Sequence, residues 1–428
     1  MGIAADDVTG ANDIGIMFAK SGCPTHVYTF SEEQDATVHP SGPAAQIVIL
    51  DTNSRLDTPE TAYRKVFAAT RALKQMGCRR FFKKTCSVFR GNIGAEFDAM
   101  LDALGMEFAV VVLGFPKNGR TTVDGIHYVH GKKLEESQFR NDPIHPMTRS
   151  DLVEILQSQT KRTVDILTHA VVEKGADELR RQIKAMRSRC NYLILDVTDQ
   201  AALATIARAV EDEPVLCGSS ALGEELPPVW GAPPDREERL DLPTLDGLGI
   251  LVAAGSLTPQ TVAQIEHLRQ RGVPLFALDT RRLFDAAERE REIARLVENI
   301  ANRLLSGADA VFHTPNDAAA AETTRRAGTV RGLSKTEVSR RVSEAVAEVT
   351  ARVLESSGQN RLVVAGGETA AAVCARLGVN GMRIWREIQP GLPSCISFTD
   401  PPRMLVLKSG SFGQPDFFEQ ALRHLRKS

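Results

Sequence analysis

No stretch of this 428-residue chain approaches the roughly eighteen consecutive apolar residues of a membrane span. The first residues carry neither the basic segment nor the long apolar run of a signal peptide. The seven cysteines (Cys23, Cys78, Cys86, Cys190, Cys217, Cys374 and Cys395) are odd in number and widely spaced, with no CxxC pair. That pattern excludes a disulfide framework, argues against a structural zinc site and points to a reducing cytoplasm. Aromatic residues are scarce at 5%, which disfavours base-stacking platforms. Charge of one sign is also missing, since the formal net charge is −2. Neither nucleic acid nor an anionic membrane is therefore an expected partner.

What is present is an α/β pattern. Apolar runs alternate with helical periodicity along nearly the whole chain, which predicts mostly parallel sheets covered by helices. The length exceeds one typical core and predicts two domains. In the first half, strands are expected at Gln46–Leu50, Arg80–Lys83, Phe108–Phe115, Tyr192–Val197 and Val215–Gly218. Helices are expected at Thr58–Met76, Glu96–Leu104, Ala176–Ser188 and Ala201–Glu211. The segment Pro116–Arg149, rich in Gly, Pro, His and charge, interrupts this rhythm as an ordered excursion. Apolar periodicity stops between Glu224 and Leu245, where Pro pairs precede a charged run. Residues 1–224 are read as the first domain, 225–245 as a linker and 246–428 as the second domain. There, strands are expected at Leu248–Ala254, Pro274–Leu278, Ala310–His313, Leu362–Ala365 and Met404–Leu407. Helices are expected at Pro259–Gln270, Arg282–Leu305, Ser334–Glu355, Thr369–Arg376 and Asp416–Leu425.

The opening run, Gly2-Ile-Ala-Ala-Asp-Asp-Val-Thr-Gly-Ala-Asn-Asp13, carries the first chemical signal. A short strand delivers Asp6 and Asp7 to its C-terminal end, where open α/β sheets hold ligands. Successive side chains of an extended strand alternate faces, so one acid is expected to face a site. Asp7 is that choice, as general base for a hydroxyl, with Asp6 capping the turn or orienting its neighbours. Asp51-Thr-Asn-Ser-Arg55 follows another strand, and an arginine there can clasp a carboxylate with two hydrogen bonds. Lys83-Lys-Thr-Cys-Ser-Val-Phe-Arg-Gly-Asn-Ile-Gly94 follows the next. Acceptors for hydroxyls beside cations for an acid fit a small carboxylated polyol. His127, His130 and His145 lack metal-ligand spacing and read as structural or rim residues.

The second half holds three loops of small residues after strands: Ala254-Gly-Ser-Leu-Thr258, Ala365-Gly-Gly-Glu-Thr369 and Lys408-Ser-Gly-Ser-Phe-Gly413. Glycine lets backbone amides approach an anion, a following helix N-terminus adds its dipole, and Lys408 offers a mobile positive charge. No GxxxxGK[ST] and no GxGxxG after a strand occurs, so neither a P-loop NTPase nor an NAD-binding domain is indicated. Gly218-Ser-Ser-Ala-Leu222 fails as a nucleophile elbow, because Leu222 stands where the second glycine is required.

In this order the motifs ADDVTGAND, DTNSR, KKTCSVFRGNIG, FPKNGRTTVDG, NDPIHPMT, GSLT, GGETA, PGLPSC and KSGSFG resemble the four-carbon acid sugar kinase family, long catalogued as a domain of unknown function. The resemblance spans nearly the whole chain. It implies a sugar-acid-binding first domain and a nucleotide-binding second domain, with the active site in the cleft between them. The implied reaction is ATP-dependent phosphorylation of the terminal (C4) hydroxyl, with Mg2+. Implied substrate contacts are Asp7, Arg55, Lys83, Lys84, Thr85 and Cys86. Implied nucleotide contacts are Ser256, Gly366, Gly367, Glu368, Thr369 and Gly410. Metal ligands are not indicated. The form KKTCSVFRG resembles the D-threonate kinase branch, which makes D-threonate the expected substrate; D-erythronate, L-threonate and 3-oxo-tetronates are alternatives within the family. Met1 falls nearly against ADD, where the family has a fuller first strand, so a start a few residues upstream is expected. A sugar-acid dehydrogenase lacks a nicotinamide fingerprint, and a cytosolic sensor would not need three phosphate-type loops. Expected partners are the sugar acid and ATP, with homodimerisation open.

Overall fold

The computed structural model describes residues 1–31, 45–142, 144–231, 247–315 and 318–427. It divides into two compact units, Met1–Glu237 and Glu238–Ser428.

In the first unit the main sheet contains β1 (Gly2–Ala5), β2 (Thr25–Thr29), β3 (Ile47–Asp51), β4 (Phe81–Lys84) and β5 (Ala109–Val112). A separate antiparallel sheet, β6 (Arg120–Val123), β7 (Ile126–Val129) and β8 (Lys132–Lys133), lies within the predicted excursion. The main sheet is completed by β9 (Val164–Leu167), β10 (Tyr192–Leu195) and β11 (Val215–Gly218). Its order is β2-β3-β1-β4-β11-β5-β10-β9, and every pairing is parallel. Strands β1, β3, β4, β5, β10 and β11 are buried at every residue, as expected where helices cover both faces. The helices show why they form. Pro59–Gln75 starts with Thr58 accepting the Thr61 N–H and with Pro in its first turn. Ala176–Met186 buries Leu179, Ile183 and Met186, one stripe at helical spacing.

Because all these strands run the same way, the loops after β1, β3, β4 and β11 emerge at one edge. The chain leaves β1 for β2 and β3 on one side and returns to β4 on the other. β1 therefore stands at a topological switch point, where such sheets hold ligands.

In the second unit, β12 (Leu251–Ala254), β13 (Leu275–Ala277), β14 (Ala310–His313), β15 (Arg361–Ala365), β16 (Gly381–Gln389), β17 (Leu392–Ser397) and β18 (Met404–Lys408) form a sheet. Its order is β13-β14-β12-β15-β18-β17-β16. The first five are parallel, while β17 and β16 pair antiparallel, so the sheet is mostly rather than wholly parallel. Strands β12, β15 and β18 are neighbours, and each precedes one of the glycine loops.

Several expected boundaries shift. Residues 225–229, read as linker, form the end of the helix Leu222–Val229 despite Pro227 and Pro228. Burial overrides the proline penalty there: Leu222, Leu226 and Pro227 are buried, and Phe18 stacks on Trp230 at 6.1 Å. Residues 232–245 of the expected linker lie outside the described residues. The helix expected from Arg282 instead begins at Ala286, where Asp285 caps it by accepting the Glu288 N–H. The loop Ala365–Thr369 is shorter than expected, since its helix already starts at Gly367.

Candidate active site

At the C-terminal edge of the first unit the two acids of the opening motif converge on one arginine. Arg55 donates from Nε and Nη2 to the two oxygens of Asp6, both at 2.8 Å, and from Nη1 to Asp7 Oδ2. The backbone repeats the attachment, because the amides of Ser54 and Arg55 donate to the Asp6 carbonyl at 3.1 and 3.2 Å. Burial would raise the Asp6 carboxyl, but Arg55 and Lys83 outweigh it and hold the pKa down at about 2. Arg55 thus does clasp a carboxylate with two prongs, and that carboxylate is the protein's own.

Asp7 differs from its expected role. Its backbone is extended (φ −154°, ψ 159°), which makes it the N-cap of the helix Val8–Ala19, with Oδ1 accepting the Gly10 N–H at 2.6 Å. Oδ2 takes Arg55 and the Thr9 hydroxyl. Capping therefore falls to Asp7 and not to Asp6, and both Asp7 oxygens are committed.

Lys83 and Lys84 separate as neighbours on a strand should. Lys83 is fully buried, pairs with Glu96 at 2.9 Å and donates to the Lys84 carbonyl at 2.9 Å. Glu96 also accepts the Ser54 hydroxyl at 2.5 Å. Lys83 is therefore a structural ion rather than an open substrate contact. Lys84 donates to the Thr85 carbonyl at 2.9 Å and stands 3.7 Å from Asp13 Oδ2, which leaves N–H capacity unused. Thr85 Oγ1 is buried without a hydrogen-bond partner. Burial pushes the Cys86 thiol up, but Arg90, 3.4 Å from its sulfur, and Arg55 bring it below the usual value.

Asp13 received no role from the sequence and belongs to the same cluster. Oδ2 accepts the Ser220 hydroxyl at 2.5 Å, whereas Oδ1 has no hydrogen-bond partner. Burial raises its carboxyl to about 6, against the pull of Lys84. Both amide atoms of neighbouring Asn12 are also buried without partners. Orphaned polar atoms of this kind call for a ligand or an ordered water. Spacing could not announce it: Asp13 lies six residues, about one and two-thirds turns, beyond Asp7 and so on another face of the helix.

In the second unit the three glycine loops touch. A Cβ on Gly255 would lie 2.0 Å from Thr369 Oγ1, and one on Gly410 2.3 Å from Ser256 Oγ. Gly366 has φ +117°, a conformation that favours glycine, and caps the helix Gly367–Arg376. The amides of Ser256, Leu257, Gly410 and Ser411 donate to no backbone or side-chain acceptor among the described residues. The first-turn amides from Gly367 onward have no acceptor within their helix. Donors left open at adjacent strand ends are an arrangement able to receive an anion. Glu368, the one carboxylate of the three loops, accepts the Ser339 hydroxyl on Oε2. Lys408 departs from expectation: it is fully buried and donates to Thr261 Oγ1, the Ser409 carbonyl and the Gly410 carbonyl at 2.9, 3.0 and 2.9 Å. With three donors committed it is not a mobile charge.

His127 is buried between Thr122 and the Ser87 carbonyl, and burial lowers its pKa to about 3. Asp124, His169 and Asp196 do gather within metal-ligand range. Asp196, however, already accepts the amides of Asp124, Gly125 and His169 at 2.6, 3.1 and 2.9 Å. It anchors its loops.

The Lys83–Glu96 pair yields a stability test. Glu96→Ala, which strands a buried ammonium, is expected to cost about 3–5 kcal/mol. Lys83→Met with Glu96→Leu should recover most of that loss in chemical denaturation of the full chain.

Sequence comparison agrees with the two domains in their order. Residues 1–226 match a family described as a sugar-binding N-terminal domain, and residues 251–418 one described as a nucleotide-binding C-terminal domain. A Cupriavidus necator protein named 3-oxo-tetronate kinase is 33% identical over 99% of this chain and 97% of its own. A Pseudomonas fluorescens protein of the same name is 34% identical over 99% and 97%. Among solved structures, a Salmonella typhimurium LT2 protein superposes with a TM-score of 0.81 at 28% identity, covering 99% of this chain and 98% of its own. A Haemophilus influenzae protein does so with 0.72 at 28% identity, covering 100% of both. With both domain families matched in order and relatives aligned end to end, this chain belongs to the four-carbon acid sugar kinase family, and it is a kinase.

Proposed function

We propose that the protein transfers the γ-phosphoryl group of ATP to the terminal (C4) hydroxyl of a four-carbon sugar acid. The observation that carries this reading is the set of unpaired loop amides after β12, β15 and β18, a cradle for phosphate oxygens. Gly366, Gly367, Thr369, Ser256 and Gly410 hold the nucleotide in this reading. Glu368 keeps one oxygen free of Ser339 and would hold the magnesium, which supplies charge neutralisation on the phosphates.

In the first unit, Lys84 has donors left for the acid, while Arg55, fastened by Asp6 and Asp7, fixes the rim against which the acid lies. Asp7 contacts a substrate hydroxyl through the remaining lone pairs of its committed oxygens. Asp13 takes the reacting proton through Oδ1, the carboxylate oxygen of the motif that no protein group occupies. Its raised pKa suits a base near neutrality better than an arginine-paired carboxylate does. We assign a 3-oxo-tetronate as the preferred acid, because full-length relatives carry that name. D-threonate is the second reading, on the KKTCSVFRG loop.

The deciding experiment is ADP release measured across D-threonate, D-erythronate, L-threonate and 3-oxo acids generated in the assay. A 3-oxo acid should give the highest kcat/KM. D-threonate in first place would overturn the substrate assignment, and equal turnover of neutral four-carbon polyols would overturn the sugar-acid reading.

Two variant sets follow. In single-turnover kinetics Asp13→Asn should lose about 10²–10⁴-fold in rate, while Asp7→Asn should weaken the acid's KM more than the chemical step. Because Asp13 must be deprotonated to accept a proton, the wild-type rate should fall as pH drops through about 6. Gly366→Val, which forces a side chain into φ +117°, should raise the KM for ATP far more than that for the acid.

A further inference from the structure

Lys408 is a cation buried without a counter-ion. Its ammonium is inaccessible, and its three hydrogen bonds go to neutral oxygens of Thr261, Ser409 and Gly410. The Phe418 ring lies 5.8 Å away. The ionisable groups on the surrounding elements are engaged elsewhere. His267 and Glu419 pair with each other at 2.7 Å, Glu368 accepts from Ser339, and Arg361 donates to the Leu425 carbonyl. Cys395 is a buried thiol whose pKa is pushed up by burial. No carboxylate among the described residues is paired with Lys408.

The two carbonyls that Lys408 draws inward have a geometric consequence. In a trans peptide the C=O and the N–H of the same unit point in opposite directions. Turning the Ser409 and Gly410 carbonyls onto the ammonium therefore turns the Gly410 and Ser411 amides away from it. Those are two of the amides that find no protein acceptor. Thr258 and Thr261 hold the Gly410 carbonyl in the same orientation, at 2.6 and 3.0 Å.

We propose that Lys408 is a positioning residue for the nucleotide: it aims the Gly410 and Ser411 amides at the phosphates, and the phosphates in turn supply its missing negative charge. This rests on the nucleotide reading of the second unit and adds a linkage to it. Free of nucleotide, the buried ammonium is easily deprotonated, with its pKa lowered to about 7 by burial. Phosphate nearby favours the charged form, so binding draws a proton from solvent at a pH above that value. Affinity for nucleotide accordingly falls as pH rises through about 7.

The test is calorimetry of the full chain with a magnesium-bound, non-hydrolysable ATP analogue, in buffers of differing ionisation enthalpy at pH 8. Wild type is expected to take up a large fraction of one proton per nucleotide, with Kd rising by more than about tenfold between pH 6.5 and 8.5. Lys408→Met, a neutral side chain of similar length, should bind the analogue at least about tenfold more weakly and take up no proton. Its affinity for the sugar acid should be unchanged. Proton-free, pH-independent binding by wild type overturns the inference even if Lys408→Met fails to fold, as does wild-type affinity in Lys408→Met. A wild type that binds no analogue at any pH refutes the nucleotide reading itself.

Discussion

Parallel pairing is the constraint on which both sites depend. A parallel strand can be followed only by a crossover, so each loop after a strand of the first unit returns to the same edge. Asp6 and Asp7 leave β1, Arg55 follows β3, and Lys84 ends β4. β3 and β4 flank β1 in register, with Ala5 level with both Asp51 and Lys84. Groups almost eighty residues apart in the chain thus become neighbours without any long-range device beyond the sheet. The same rule places the loops after β12, β15 and β18 side by side in the second unit.

At these edges the protein sorts its charges into those it consumes and those it leaves for use. Lys83 and Glu96 neutralise each other in full burial, and Arg55 is consumed by Asp6. A buried ion left alone is costly, so most are paired. The exceptions are informative for that reason. Lys84 retains donors, Asp13 retains an oxygen, and Lys408 retains an unmatched charge. Each sits next to a motif that substrate chemistry would need, while the fully paired groups hold those motifs in place.

How far the sequence could be read follows the same division. Apolar runs such as those of β3, β5 and β15 announce buried parallel strands, and the acids, cations and glycines that close them announce a site. Strand β2, with the sequence Thr-His-Val-Tyr-Thr, lacks such a run. β16 carries Arg383, Arg386 and Glu387, because a partly exposed antiparallel strand need not be apolar. Partners were also illegible. Nothing local says that Arg55 would meet Asp6 forty-nine residues away, or that Lys408 would be interior when lysine is ordinarily exposed. That Asp7 rather than Asp6 caps the turn depended on one backbone conformation, which strand alternation alone does not supply.

The stacking of Phe18 on Trp230 has a practical side. The chain contains only two tryptophans, and they are divided between the units: Trp230 in the first and Trp385 on β16 in the second. Trp230 leans on the far end of the helix that Asp7 caps and whose second turn carries Asp13, with the Arg80 guanidinium 4.9 Å from its ring. Trp385 lies 5.4 Å from His424 on the C-terminal helix. Each indole is thus a built-in optical probe of one unit, and a single Trp→Phe replacement leaves a chain whose emission reports on the other unit alone.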